Sequence, residues 1–187
     1  IKFDAPSDDI LVWKLPSEEL KLGSQLIVNQ SQEALFLKGG EVCDLFGPGR
    51  HTLTSANLPL LNKLVDLPFG GETPFAAEVW FVNKTVKRDL KWGTQSPIPL
   101  IDPAYNYPIS ARAFGRWGLL IQDSRSFVRQ IVGSQMAADS EKVLEYFIGE
   151  IHQRFSAALA RFIHEEKTSI FEINVKLNEL SQYSATV

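Results

Sequence analysis

The longest regular pattern in the chain runs from Ile109 to Ile121, and it restricts this segment to an extended strand. Apolar or small residues occupy every odd position, while the even positions include two arginines and a serine. Alternation with a period of two is typical of a strand that is buried on one face only. So long a strand needs a bend, which we expect at Gly115 and Gly118, because glycine accepts the backbone angles of a kink.

A second long strand is predicted from Glu78 to Trp92. It begins with a run that is apolar on both faces and continues with alternating apolar and charged residues. The segment 92–103, which contains three prolines, joins the two predicted strands. These two strands are therefore expected to be the central elements of the fold.

Shorter apolar runs predict further strands near residues 10–14, 25–29, 33–37 and 42–46. The paired glycines at 39–40 predict a tight hairpin turn, because both positions of such a turn need a positive φ. Residues 17–20 are predicted as one helical turn and 135–139 as a loop, while many prolines and glycines predict irregular structure over 57–75.

Helical patterns are concentrated in the last third of the chain. Apolar residues spaced three and four apart predict one long helix from Ser140 to Glu166. Asp123 is predicted to cap a short helix, and Ser169 with Glu172 matches a capping box. Strands first and helices last indicate an α+β fold, with a curved, mostly antiparallel sheet and C-terminal helices packed on it.

Length and charge set broad limits on the protein. A chain of 187 residues suits a single domain, here with a strand-rich part, 1–123, and a helical part, 124–187. The net charge of -3 argues against a general nucleic-acid binder, and the single cysteine, Cys43, favours a reducing compartment. No apolar run has the length of a membrane span. Because the chain starts with Ile1, we expect it to be a fragment of a longer protein.

The residues that could carry chemistry are also explained by structural roles. Cys43 and His51 could form a nucleophile and its base, but Cys43 fits a strand position. His164 and Glu165 begin a zinc-protease motif that lacks its second histidine. Asp102 lies beside turn signals, as Asp123 does, which favours turn and cap roles. The sequence therefore predicts no catalytic residue, no cofactor and no metal.

One loop is a candidate contact surface. The segment 67–75 is irregular yet carries Leu67, Pro68, Phe69 and Phe75, and apolar residues on an exposed loop often mark a membrane or protein contact. In the alternative interpretation, Phe69 and Phe75 fold back on the sheet as a lid over the core. The sequence favours this lid, because most aromatic residues in a domain of this size are buried.

Two ordered sets of segments resemble a known family. A hairpin at 31–40 followed by the turn 46–53, with Pro48, Gly49 and His51, resembles the start of an SPFH (band 7) domain, the family of stomatin, prohibitin, flotillin and HflK/C. The later segments resemble its bacterial YdjI-like branch, also called virion core protein-like, at 89–94, 97–98, 112–115, 121–123 and 131–133.

The resemblance implies a non-enzymatic scaffold domain that associates with a membrane and takes part in membrane organisation or the membrane-stress response of bacteria. It implies a location on the cytoplasmic face of the inner membrane, self-association of the full-length protein, and contacts with the membrane surface or membrane proteins. Nucleic acid is not an expected partner. The alternative is a regulatory subunit that binds a membrane protease, as some relatives do.

Overall fold

The computed structural model describes residues 1–7, 9–65, 74–132 and 137–186, and it divides the chain into two compact units. Unit 1 comprises Ile1–Lys87 and Gly118–Val143, and unit 2 comprises Arg88–Trp117 and Leu144–Val187. Each unit contains strands and helical segments, so the units do not coincide with the strand-rich and helical parts expected from the sequence. The assignment of the chain to a single domain stays a prediction.

The elements of the described residues follow one another as strands interrupted by short helices, with the long helices last. The strands are β1 (Ile10–Lys14), β2 (Glu19–Lys21), β3 (Gln25–Val28), β4 (Gln32–Lys38), β5 (Glu41–Phe46), β6 (Gly49–Thr52), β7 (Pro74–Ala76), β8 (Glu78–Asn83), β9 (Lys87–Gly93), β10 (Ile98–Asp102), β11 (Tyr107–Ala111), β12 (Phe114–Leu119) and β13 (Ala137–Asp139). The helices are α1 (Pro59–Val65), α2 (Ser124–Phe127), a π-helical segment (Val128–Val132), α3 (Ser140–Glu166), a 3-10 helix (Ile173–Lys176) and α4 (Leu177–Thr186).

Unit 1 is built around a five-stranded sheet in the order β13-β1-β8-β4-β5. All four neighbouring pairs are antiparallel. The central strands β4 and β8 bury consecutive residues, including Phe36 and Phe81, because both of their faces are covered. This is why their sequences read as continuous apolar runs instead of alternating ones.

Two turns of unit 1 confirm local predictions. Gly39 and Gly40 both have positive φ, at 58° and 82°, and connect the paired residues Lys38 and Glu41, as a two-residue hairpin requires. In the next turn, an imidazole nitrogen of His51 lies 2.9 Å from the carbonyl oxygen of Gly47. The histidine therefore closes the turn that follows β5.

Unit 2 combines short strand pairs with the C-terminal helices. The antiparallel hairpin β10–β11 pairs Ile98 with Ala111, and a second two-stranded sheet consists of β9 and β12. The C-terminal half of α3 packs against the hairpin and the following helices in one apolar cluster. Its buried members are Ile98, Leu159, Phe162, Ile163, Ile173 and Leu180. The structure thus confirms the α+β fold with antiparallel sheets, and α3 has the predicted bounds.

The predicted strand from Ile109 to Ile121 is divided into β11 and β12. The alternation itself is confirmed, because every odd position is less exposed than its even neighbours. The interruption lies at Ala113, whose amide and carbonyl bond the side chain and the amide of Thr94. Gly115 has a different role from the predicted bend: a Cβ there would lie 3.0 Å from the indole nitrogen of Trp92, so the ring needs a glycine beneath it.

Five other predictions of secondary structure are wrong. The strand expected from Glu78 to Trp92 breaks after Asn83, whose side chain accepts a hydrogen bond from the Thr85 amide. The segment 92–103 contains β10, residues 17–20 overlap β2 in place of a helical turn, and 135–139 overlaps β13. Helix α1 lies in the region expected to be irregular. Its first amides donate to the carboxylate of Asp44, a remote residue that no local pattern could reveal.

Candidate functional site

The tip of the β10–β11 hairpin is held by one buried carboxylate. Asp102, the last residue of β10, accepts hydrogen bonds from the amides of Ala104 (2.9 Å) and Tyr105 (3.2 Å) within the turn. It also accepts from the hydroxyl of Ser169 (2.7 Å) and the amide of Ile170 (2.9 Å), which lie just beyond α3. Asp102 thus ties the turn to the segment after α3 and gives both a fixed backbone conformation.

Asp102 is fully buried, yet its environment favours the ionised form. Burial raises the pKa of the carboxyl, but the hydrogen bonds from Ser169, Ile170, Ala104 and Tyr105 outweigh it and hold the pKa below its usual value. The charge is therefore confined within the turn, and the carboxylate acts as a structural anchor.

Four large apolar side chains are exposed around the tip, and we call them together the tip patch: Ile101, Tyr105, Tyr107 and Phe171. Their exposed fractions are 65%, 70%, 67% and 72%. The strand pairing places Ile101, opposite Pro108, and Tyr107, opposite Asp102, on opposite faces of the hairpin. The rings of Tyr105 and Phe171 contact each other edge to face, with centroids 6.0 Å apart. Large apolar side chains that are both exposed and ordered indicate a contact surface.

The hairpin that carries most of the tip patch has almost no charge. Asp102 is the only Asp, Glu, Lys, Arg or His between residues 92 and 111, although 22% of the whole chain is charged. Because the carboxylate of Asp102 is buried, the hairpin offers solvent only apolar and neutral polar groups. The segment after α3 does carry exposed charges, since Glu172 directly follows Phe171 and Lys167 precedes it by four residues.

Unit 2 also contains a groove of about 550 Å³ beside residues 111–116. Leu159, Ile173 and Leu180 contribute to its apolar lining. Its ionisable side chains are those of Arg112 and Arg116, and its lining also contains the hydroxyls of Ser181 and Ser184. The described lining holds no His, Asp or Glu that could act as a general base for these hydroxyls.

The contact loop predicted from the sequence lies largely outside the described residues. Leu67, Pro68 and Phe69 belong to that part, and their role stays a prediction. Phe75 is described: it lies in β7, pairs with Leu20 of β2, and is only 6% exposed. Its ring belongs to the core of unit 1, as the lid alternative expects, and it is not available for a surface contact.

Cys43 and His51 have structural surroundings. The Cys43 thiol is buried and its sulfur bonds the carbonyl of Glu41, while burial and the neighbouring Asp44 raise the pKa of the thiol. A thiol with a raised pKa is a poor nucleophile at neutral pH. A ring nitrogen of His51 is hydrogen-bonded to the carbonyl oxygen of Gly47, and the ring packs edge-on against Phe46.

Other candidate residues also act locally. Asp123 caps α2 by accepting from the amides of Arg125 and Ser126, which confirms the predicted cap. The hydroxyl and amide of Ser126 hold the pKa of Asp123 below its usual range. His164 lies exposed in the last turn of α3. In the described residues there is no group of three or more His, Cys, Asp or Glu side chains that could hold a metal ion.

The predicted capping box at Ser169 and Glu172 is wrong. The Ser169 hydroxyl donates to Asp102 and accepts from the Phe171 amide, and Glu172 makes no capping hydrogen bond with its side chain. The tip patch was also not predicted from the sequence, because Tyr105 and Phe171 are far apart in the chain and meet only in the folded protein. The available signal was the long stretch 92–111 without an exposed charge.

None of the described helices combines the length and the apolar character that a membrane crossing requires.

Comparison with known proteins gives a family and one curated relative. Residues 12–187 match the model of the SPFH domain-Band 7 family. The chain is 28% identical over 189 aligned positions to YdjI, an uncharacterized protein of Bacillus subtilis (strain 168). This alignment covers 97% of the chain but 55% of YdjI, so the chain spans about half the length of this relative. No solved structure gives a significant match.

These matches agree with the resemblance carried by the hairpin and the His51 turn. Members of this family are commonly membrane-associated scaffolds and are generally non-enzymatic. From the family match over residues 12–187, we conclude that the chain belongs to the SPFH/Band 7 family.

Proposed function

We propose that this chain is a non-enzymatic scaffold domain that associates with the inner face of a bacterial membrane. In the full-length protein it self-associates and takes part in membrane organisation or the membrane-stress response. The observation that carries the proposal is the family match over residues 12–187, because the family's members are commonly membrane-associated scaffolds.

The geometry of the described residues supports the same function. The residues that could be taken for catalytic groups serve the fold: Cys43 is buried, His51 closes a turn, and Asp123 caps a helix. In contrast, the ordered tip patch of unit 2 has no role in the core of its unit. A scaffold needs contact surfaces of this kind and does not need an active site.

The test is to express the full-length protein in bacterial cells and to separate membranes from the soluble fraction. We expect the protein in the membrane fraction, released by detergent as an assembly of many copies. A monomer found entirely in the soluble fraction would refute the scaffold. Recovery of a stoichiometric complex with a membrane protease, without self-association, would favour the regulatory alternative instead.

A further inference from the structure

We propose that the tip patch is a lipid-contact site that enters the interfacial zone of a bilayer by apolar contact, without ionic attraction. This inference rests on the proposed function, and it assigns the membrane contact to a specific surface of unit 2. The site consists of Ile101, Tyr105, Tyr107 and Phe171, which project from the β10–β11 turn and from the segment after α3.

The chemistry of the exposed groups matches that zone. Tyrosine is enriched where bilayer and water meet, since its ring is apolar and its hydroxyl reaches water. Ile101 and Phe171 add purely apolar surface, and both are at least 65% exposed. The patch therefore combines the side chains that partition into the region between headgroups and acyl chains.

Charge complementarity favours a neutral lipid surface over an anionic one. Asp102, the one charged residue of 92–111, is buried and fully hydrogen-bonded within the protein. No lysine or arginine of this stretch is available to attract a phosphate, while the exposed carboxylate of Glu172, next to Phe171, repels an anionic headgroup. Insertion of the tip thus leaves no charge of the hairpin to be desolvated.

A second copy of the chain is a less suitable occupant. In the described sheets β10 and β11 pair only with each other, so their outer edges are open. Pro99 and Pro108 both lie in this hairpin, opposite Ser110 and Ile101. Because proline has no amide hydrogen, these pairs must be the non-hydrogen-bonded ones, whose backbone nitrogens face outward. Each outer edge therefore lacks a donor, which disfavours the addition of another strand.

The turn is also rigid enough to insert. The hydrogen bonds of Asp102 hold Ala104 and Tyr105 on one side and Ile170 on the other, so the aromatic pair of Tyr105 and Phe171 is ordered before any contact. A preordered surface loses little conformational entropy on binding. A single tip binds weakly, and the many copies of an assembly supply avidity.

The first experiment measures the surroundings of the tip directly. In the full-length protein with Cys43→Ser, an environment-sensitive fluorophore is attached to Ala104→Cys, and neutral phosphatidylcholine vesicles are added. We expect a blue shift of the emission that persists at about 1 M salt, where charges are screened beyond about 3 Å. The same label at Glu41→Cys, an exposed residue next to the β4–β5 turn, is the control and should not shift.

The second experiment compares vesicle binding of two variants. Tyr105→Ser combined with Phe171→Ser should weaken binding by about tenfold or more, since apolar area is lost from the contact. The matched control is Tyr146→Ser, which removes a tyrosine of α3 that is equally exposed, at 65%, and should leave binding unchanged. All these positions are exposed, so the variants should fold, which equal melting temperatures verify.

The outcomes separate this inference from the proposed function. If the protein lies in cell membranes but the Ala104 label does not shift with neutral vesicles, the lipid site is refuted and the scaffold stands. A shift that appears without vesicles as protein concentration rises would identify a second copy as the occupant and overturn the inference. Absence from cell membranes altogether would instead remove the proposed function.

Discussion

The β4–β5 hairpin of unit 1 and the β10–β11 hairpin of unit 2 are both antiparallel and both contribute to a core, yet only the second exposes large apolar side chains near its turn. In the first hairpin, Phe36 and Phe46 are at most 6% exposed and join the core. In the second, Ile98 is buried at one end, whereas Ile101 and Tyr107 at the other end are at least 65% exposed. The second hairpin thus serves a core at one end and presents a surface at the other.

The two hairpins also differ in what holds their turns. The β4–β5 turn depends on Gly39 and Gly40, whose positive φ values are a local property of the sequence. The β10–β11 turn depends on Asp102, which is bonded to Ser169, a residue 67 positions away. The turn role of Asp102, which bonds the amides of Ala104 and Tyr105, could be predicted from its neighbours, whereas its bond to Ser169 could not.

The largest effect should come from removing a core ring of the first hairpin. Phe36→Ala is expected to lower the free energy of unfolding by about 3–5 kcal/mol, because a fully buried phenylalanine leaves a cavity. Urea denaturation measures this change. Tyr107→Ala in the second hairpin is the matched control, and we expect a change within about 0.5 kcal/mol.

The variants Phe36→Ala and Tyr107→Ala can directly contradict the proposed difference in burial between the two hairpins. A loss at Tyr107 as large as the loss at Phe36 would mean that the turn end of the second hairpin is also part of a core. In that case the tip patch would be a packing surface, and its exposed fractions would have no functional meaning.

A smaller effect should appear at the second turn in acid. The pKa of Asp102 lies below its unfolded value of about 3.9, so its contribution to stability is complete above about pH 4 and is lost as the pH falls through the folded pKa. We expect the protection factors of the Ala104 and Ile170 amides against hydrogen exchange to fall in this range. Asp102→Asn should exchange faster already at neutral pH and lose the dependence on acid.

Exchange at single amides is the appropriate measurement, because Asp123 also has a lowered pKa and adds to any global acid effect. The amides of Leu37 and Val42 in the first hairpin serve as the internal control. An identical acid dependence in the wild type and in Asp102→Asn would show that this carboxylate does not hold the turn.

The difference between local and remote contacts explains how much of the fold could be predicted from the sequence. The α+β class, helix α3, the turn at Gly39 and the cap at Asp123 all follow from patterns within a few residues. Helix α1 was missed because Asp44 caps it from β5. The tip patch was missed because its order depends on Asp102 and the segment after α3, which are joined only in the folded chain.

The smallest effect concerns the failed capping box. A capping-box glutamate would contribute to the start of a helix, and its loss would cost about 1 kcal/mol. Because the Glu172 side chain makes no capping hydrogen bond, we expect Glu172→Ala to change the free energy of unfolding by less than about 0.5 kcal/mol. Ser169→Ala should cost more, about 1–3 kcal/mol, since its buried hydroxyl serves the second turn.

A double-mutant cycle decides which role Ser169 has. If the serine serves the turn, its replacement should be coupled to Asp102→Asn and additive with Glu172→Ala, because the side chain of Asp102 bonds its hydroxyl and that of Glu172 does not. If the replacement of Ser169 were coupled to Glu172→Ala and not to Asp102→Asn, the capping-box interpretation would be correct. The segment after α3 would then be organised by its own sequence, as the β4–β5 turn is. The β10–β11 turn would in that case not depend on a remote serine, and the contrast between the two turns would be lost.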